Sequence, residues 1–136
     1  MDMMRVTRYW APVAAYMGLI FYLSAQSHPE EQLPSFLAEL SDKLLHAVEY
    51  AGLSALWYRA FRWGAAGFSV RQAMLFAVLA ASLYGLSDEV HQLFVPFRES
   101  SWQDWTADTA GAGLGAFMMH RVYQALEHPS ASAVLD

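Results

Sequence analysis

Four apolar stretches alternate along the chain with short polar corners, and each marks a helix predicted to cross a membrane. The first span is predicted over about 9–26, inside a window, residues 9–29, of twenty-one uncharged positions. Arg5 and Arg8 precede it, Tyr9 and Trp10 suit an interfacial belt, and Pro12 is expected in its first turns, where proline is tolerated. No small-residue cleavage site follows the apolar run, so it reads as an uncleaved span rather than a signal peptide. Residues 28–41 are acidic and too polar to span, and Pro34 followed by FLAEL predicts a short amphipathic surface helix. The second span is predicted over about 42–61 with Ser41 and Asp42 at its N-cap, and Arg59 and Arg62 close it. Gly64 and Gly67 mark a loop. The third span is predicted over about 71–94, stopping before Pro96, and the fourth over about 101–123. The tail HPSASAVLD reads as frayed.

Polar residues concentrate in residues 84–115, which carry five carboxylates, a histidine, two glutamines and an arginine. On one side lie sixteen uncharged residues (72–87), on the other twelve (109–120). Twelve residues fall short of the roughly 20 that a span needs. Asp104 and Asp108 therefore belong to the inserted fourth helix. Ionisable groups inside spans are costly and are functional candidates by default.

Composition agrees with a bilayer: 56% of residues are hydrophobic and 15% charged, where a soluble domain has roughly 25% charged. The 136 residues make one all-α domain, a four-helix membrane bundle. No cysteine is present, which excludes a disulfide framework and a thiolate site, and no basic tract points to nucleic acid. Positive charge sets the orientation. Arg5, Arg8, Arg59, Arg62, Arg71 and Arg121 fall on one side of the four-span arrangement, Lys43 and Arg98 on the other. Both termini are then cytoplasmic, and the connections 27–41 and 95–101 face outward.

At about 100° per residue, Asp42, His46, Glu49 and Leu53 share one stripe of the second helix. Ala81, Tyr84, Gly85, Asp88 and Gln92 share one on the third, with Glu89 at its edge, and Asp104, Asp108, Gly111 and Gly115 one on the fourth. Glu49, Asp88 and Asp108 each lie roughly 10 Å inside their outward helix ends at 1.5 Å per residue, so the stripes are expected to converge. The Gly111/Gly115 spacing lets a neighbouring backbone approach closely, though it is common in membrane helices. On the outward half, Asp42, Glu49, Asp88, Glu89, Glu99, Asp104 and Asp108 oppose only Lys43 and Arg98. Seven negatives against two positives cannot all be ionised in a low-dielectric pocket, so some acids are protonated or paired to Arg98 or a cation. Structural readings stand beside the functional ones. Asp42 reads equally as a cap, and His46 as an interhelical hydrogen bond. His91 reads as interfacial, Trp102 and Trp105 as interfacial anchors, and Glu89 and Glu99 as wetted by the outer surface. Tyr50 is left open. Arg98 either grips a phosphate or carboxylate bidentately or locks Asp104 or Asp88.

DKLLH at 42–46 with Tyr50, YGLSDEVHQLFVPFR at 84–98, DWTADTAGAGLGA at 104–116 and the Ser24/Gln26 end of the first span together resemble the VanZ-like family of bacterial membrane proteins. The resemblance covers about residues 9–123. It implies a polar site at Asp42, Lys43, His46, Glu89, Gln92, Arg98, Asp104 and Asp108. Relatives often carry Asn where Asp108 stands, and Glu49 and His91 lie outside the pattern. The family is named for a protein linked to teicoplanin resistance, so the resemblance implies a place and a site rather than a reaction.

The expected function is binding or modification of an anionic lipid or lipid-linked envelope precursor in an outward-facing pocket of the bacterial cytoplasmic membrane. His46, Glu89, Asp104 and Asp108 are the catalytic candidates, with His46 or a carboxylate as general acid or base. Asp42, Lys43, Asp88, Gln92 and Arg98 are the substrate-binding candidates: Arg98 and Lys43 hold the head group, and Gln92 orients it. An oxygen-rich set of Glu89, Asp104 and Asp108 would suit Mg²⁺, Mn²⁺ or Ca²⁺. The alternative is a non-catalytic module whose polar cluster holds helices or a partner together. A small ion transporter fits less well, because the inner half of all four spans lacks an ionisable relay.

Overall fold

The computed structural model describes residues 3–26, 35–98 and 100–127. Residues 28–34, Glu99 and the tail HPSASAVLD lie outside them. Among the described residues there is no strand, and four helices follow one another: α1 (Met3–Ser24), α2 (Ser35–Arg59), α3 (Val70–Gln92) and α4 (Trp102–Glu127). A short π-helical turn, Ala60–Gly64, closes α2, with the Ala65 N–H donating to the Ala60 carbonyl. Of the four helices, only α3 is both long and apolar enough to cross a membrane by composition alone.

The helix ends differ from the sequence expectation in ways that trace to local chemistry. FLAEL is not a separate surface helix; it forms the opening turns of α2, so Ser41 and Asp42 lie inside that helix rather than at its N-cap. Helix α1 likewise starts six residues early, and Pro12 is its tenth residue rather than a first-turn residue. A mid-helix proline has no N–H for the carbonyl four residues back. That carbonyl, on Arg8, instead accepts a hydrogen bond from Arg59 Nη2 at 3.3 Å, and the guanidinium lies 5.1 Å from the Tyr9 ring centroid. The proline thus exposes an acceptor that docks the end of α2 on α1. Helix α3 is started by a capping box, in which Ser69 Oγ accepts from the Gln72 N–H and the Gln72 side chain accepts from the Ser69 N–H.

Helices α2 and α4 are the closest pair. They run parallel, since Lys43, His46 and Tyr58 meet Asp104, Asp108 and His120 in the same order. Gly111 and Gly115 make the approach possible: a Cβ at either would run into the backbone carbonyl of Ala47 or Ala51. Helix α3 packs against both, and α1 packs on α2, on the π-helical turn and, more lightly, on α3. Tyr84 ties α3 to α1 by donating to the Met17 carbonyl at 2.7 Å. Aromatic rings fill the far end of the bundle, where Trp10 meets Trp57 and Phe61 edge-on and Trp57 stacks on Phe61.

The buried face of α3 changes character along its length. It begins as Ala73, Ala77, Ala81 and Gly85 and ends as Asp88, Glu89 and Gln92. Outside, Leu75, Phe76, Leu79, Leu83, Leu86 and Val90 are exposed, as are Leu44, Leu45 and Val48 of α2 and Leu114, Phe117, Met118 and Val122 of α4. A protein folded in water exposes charges and buries such side chains. Here the polarity is reversed.

Candidate functional site

The acidic stripes of α2, α3 and α4 meet at one end of the bundle. Close approach of α2 and α4 at Gly111 fixes their register, and two cross-helix pairs follow from it. His46 Nδ1 lies 2.9 Å from Asp108 Oδ1, with both side chains out of solvent. Lys43 Nζ donates to Asp104 Oδ1 at 3.2 Å, and the lysine keeps 30% of its side-chain surface in solvent. The Nδ1-protonated ring donates to Asp108 Oδ1 and, when neutral, keeps Nε2 as an acceptor.

Helix α3 supplies the third wall. Glu89 Oε2 accepts the Ser101 backbone N–H at 2.7 Å, tying the acid to the start of α4. Gln92 Nε2 donates to Asp88 Oδ2 and to Ser24 Oγ, each at 3.2 Å, so α1 reaches the site through Ser24. Gly85 leaves room beside Asp108; a Cβ there would sit 2.8 Å from Asp108 Oδ2 and 3.2 Å from the Tyr50 ring. Between α3 and α4, Ser82 Oγ and Thr109 Oγ1 are 2.8 Å apart, and the Trp105 indole N–H donates to the Ser82 carbonyl.

Among the described residues, two groups of side chains have the spacing of metal ligands. One ligand atom each from His46, Glu89 and Asp108 lie within 4.8 Å of one another, all three residues buried; Asp42, His46 and Asp104 form a second such group. The set expected from sequence, Glu89 with Asp104 and Asp108, is thereby split, and His46 belongs to both halves because it lies between the two aspartates of α4.

The arrangement thus gathers Asp42, Lys43, His46, Glu89, Asp104 and Asp108 into one cluster, while Asp88 and Gln92 hydrogen-bond to each other on α3 and reach α1 through Ser24. Arg98 lies half-buried in the corner after α3, its backbone N–H donating to the Val95 carbonyl. Asp104 is ion-paired with Lys43, and Asp88 accepts a hydrogen bond from Gln92. Glu49 is half-buried in the same half of α2. His91 stacks on Phe21 of α1, with ring centroids 4.5 Å apart. Trp102 is exposed. Sequence reasoning left Tyr50 open; it is fully buried and its hydroxyl has no hydrogen-bond partner among the described residues. The Ser101 backbone donor to Glu89 escaped it entirely, because a main-chain N–H leaves no signature in residue type.

Chemically, the end of the bundle offers an imidazole paired to a buried aspartate, a second buried acid and a solvent-touching ammonium. That set can hold a cation, transfer a proton, or meet a charged head group. Compared with known proteins, residues 6–123 match the family model described as VanZ/LLP1. No curated protein and no solved structure matches the chain.

Proposed function

The chain belongs to the VanZ/LLP1 family, and we propose that it crosses the bacterial cytoplasmic membrane four times and binds or modifies an anionic amphiphile at its outward end. The observation that carries this reading is the reversed polarity. Leucine and phenylalanine cover the outside, and His46, Asp88, Glu89, Gln92, Asp104 and Asp108 are buried together at one end. In lipid, apolar side chains face outward at no cost and polar groups turn inward to satisfy one another. Helices α1, α2 and α4 fall below the composition that marks α3 as a span, yet Leu19 and Phe21 of α1, Leu44, Leu45 and Val48 of α2, and Leu114, Phe117 and Met118 of α4 are also exposed. Six arginines at the opposite end favour placing that end in the cytoplasm.

Lys43 and Arg98 are the cations of the acidic end and would meet the phosphate of a phospholipid or lipid-linked envelope precursor. His46, oriented by Asp108, is the group placed for proton transfer. A part in glycopeptide resistance follows from the family resemblance. A second reading, a non-catalytic assembly module, draws on the fact that His46–Asp108 and Lys43–Asp104 both tie α2 to α4.

Native mass spectrometry of the detergent-purified protein separates the two. Wild type should carry a bound anionic lipid. Arg98→Ala should keep its melting temperature and lose that lipid, and Arg98→Lys should rescue little, because a point charge lacks the planar fork. Equal lipid content in all three proteins would contradict the binding reading.

A further inference from the structure

The acidic end holds more carboxylate than its hydrogen bonds satisfy, and two oxygens show where. Asp108 is fully buried and Glu89 is 4% exposed. Each uses one oxygen, toward His46 and toward the Ser101 N–H. The others, Asp108 Oδ2 and Glu89 Oε1, are buried without a hydrogen-bond partner among the described residues. A buried carboxylate oxygen left without a donor is costly. A structure that retains two of them beside one imidazole is short of positive charge at that point.

We propose that His46, Glu89 and Asp108 bind one divalent transition-metal ion of the Mn²⁺ or Zn²⁺ type. One ligand atom of each already lies within 4.8 Å of the others. Two atoms bound at right angles to one ion, each about 2.1 Å from it, stand about 3 Å apart; His46 Nδ1 and Asp108 Oδ1 are separated by 2.9 Å. The ion takes the place of the proton between them, and Glu89 closes the third side. Imidazole beside two carboxylates selects Mn²⁺, Zn²⁺ or Fe²⁺ over the Mg²⁺ and Ca²⁺ that an all-oxygen set would favour. The second group of ligands, Asp42 with His46 and Asp104, has less need of an ion, because Lys43 already neutralises Asp104 at 3.2 Å. The ion's role in gripping an anionic head group rests on the lipid-binding reading; the site itself does not.

The test uses full-length protein purified in detergent with a histidine-free tag. Metal content and Mn²⁺ titration should give one ion per chain for wild type. Electron paramagnetic resonance of bound Mn²⁺ should show one directly coordinated imidazole nitrogen, a signature that needs no variant to fold. Glu89→Gln and Asp108→Asn should weaken binding roughly tenfold or more, since even the outer partners of a metal ligand are worth that much, and Asp104→Asn should leave it within a fewfold of wild type. Absence of Mn²⁺ and Zn²⁺ binding to wild type, absence of the nitrogen coupling, or loss of binding in Asp104→Asn with retention in Glu89→Gln would each overturn the site. Lipid retained by protein that takes up neither metal would sink the metal site and leave the lipid reading. Metal bound by protein that carries no lipid would do the reverse.

Discussion

His46 and Lys43 sit about one turn apart on α2 and each faces an aspartate of α4, yet their environments assign them different weights. The Lys43–Asp104 pair is partly in solvent, at 30% and 8% side-chain exposure, and such pairs contribute about 1 kcal/mol or less. The His46–Asp108 pair is shielded, at 5% and 0%, and removing one partner of a buried pair costs about 3–5 kcal/mol. Thermal unfolding in detergent should therefore show a small loss for Lys43→Met and a large one for His46→Ala. The double change His46→Leu with Asp108→Leu should recover much of the second loss, because neither member of that pair is left behind without the other. Comparable losses for Lys43→Met and His46→Ala would contradict this ranking. Residue type and helical phase drew attention to His46, Asp104 and Asp108 in the sequence, whereas Lys43 entered through its charge and the family resemblance. Partner choice was not legible, because it depends on the offset between α2 and α4, which is set by where Gly111 meets Ala47.

At the scale of elements, the α2–α4 contact is governed by two of three glycines that look alike in sequence. A Cβ at Gly111 or Gly115 would collide with backbone carbonyls of α2, whereas one at Gly113 would meet nothing within 4 Å. Overpacking against rigid backbone costs about 1–3 kcal/mol, while Gly to Ala in an open helix position gains about 1 kcal/mol. Gly111→Ala and Gly115→Ala should lower the melting temperature and weaken lipid retention by shifting His46 from Asp108; Gly113→Ala should be neutral or stabilising. Equal effects at all three positions would show that α2 does not approach α4 there. Whereas the separate surface helix expected at FLAEL is part of α2, the four long helices were readable from apolar runs and corners. Their starts were not: α1 and α2 extend into polar residues that a hydrophobic pattern leaves out, and Pro12 lies mid-helix because Arg59 of another element satisfies the carbonyl it orphans.

The whole molecule is organised as a gradient, aromatic and arginine-rich at one end and acidic at the other, with leucine and phenylalanine around the middle. The central claim is that this gradient is aligned across a membrane, with the His46–Asp108 cluster toward the outside. The chain has no native cysteine, so single-cysteine variants report position without background. A membrane-impermeant thiol reagent applied to intact cells should label Ser100→Cys, in the corner between α3 and α4, and spare Ala66→Cys, exposed in the connection between the π-helical turn and α3, until the membrane is opened. Labelling of Ala66→Cys with protection of Ser100→Cys would put the acidic cluster in the cytoplasmic leaflet, and labelling of both from outside would contradict a membrane-crossing bundle.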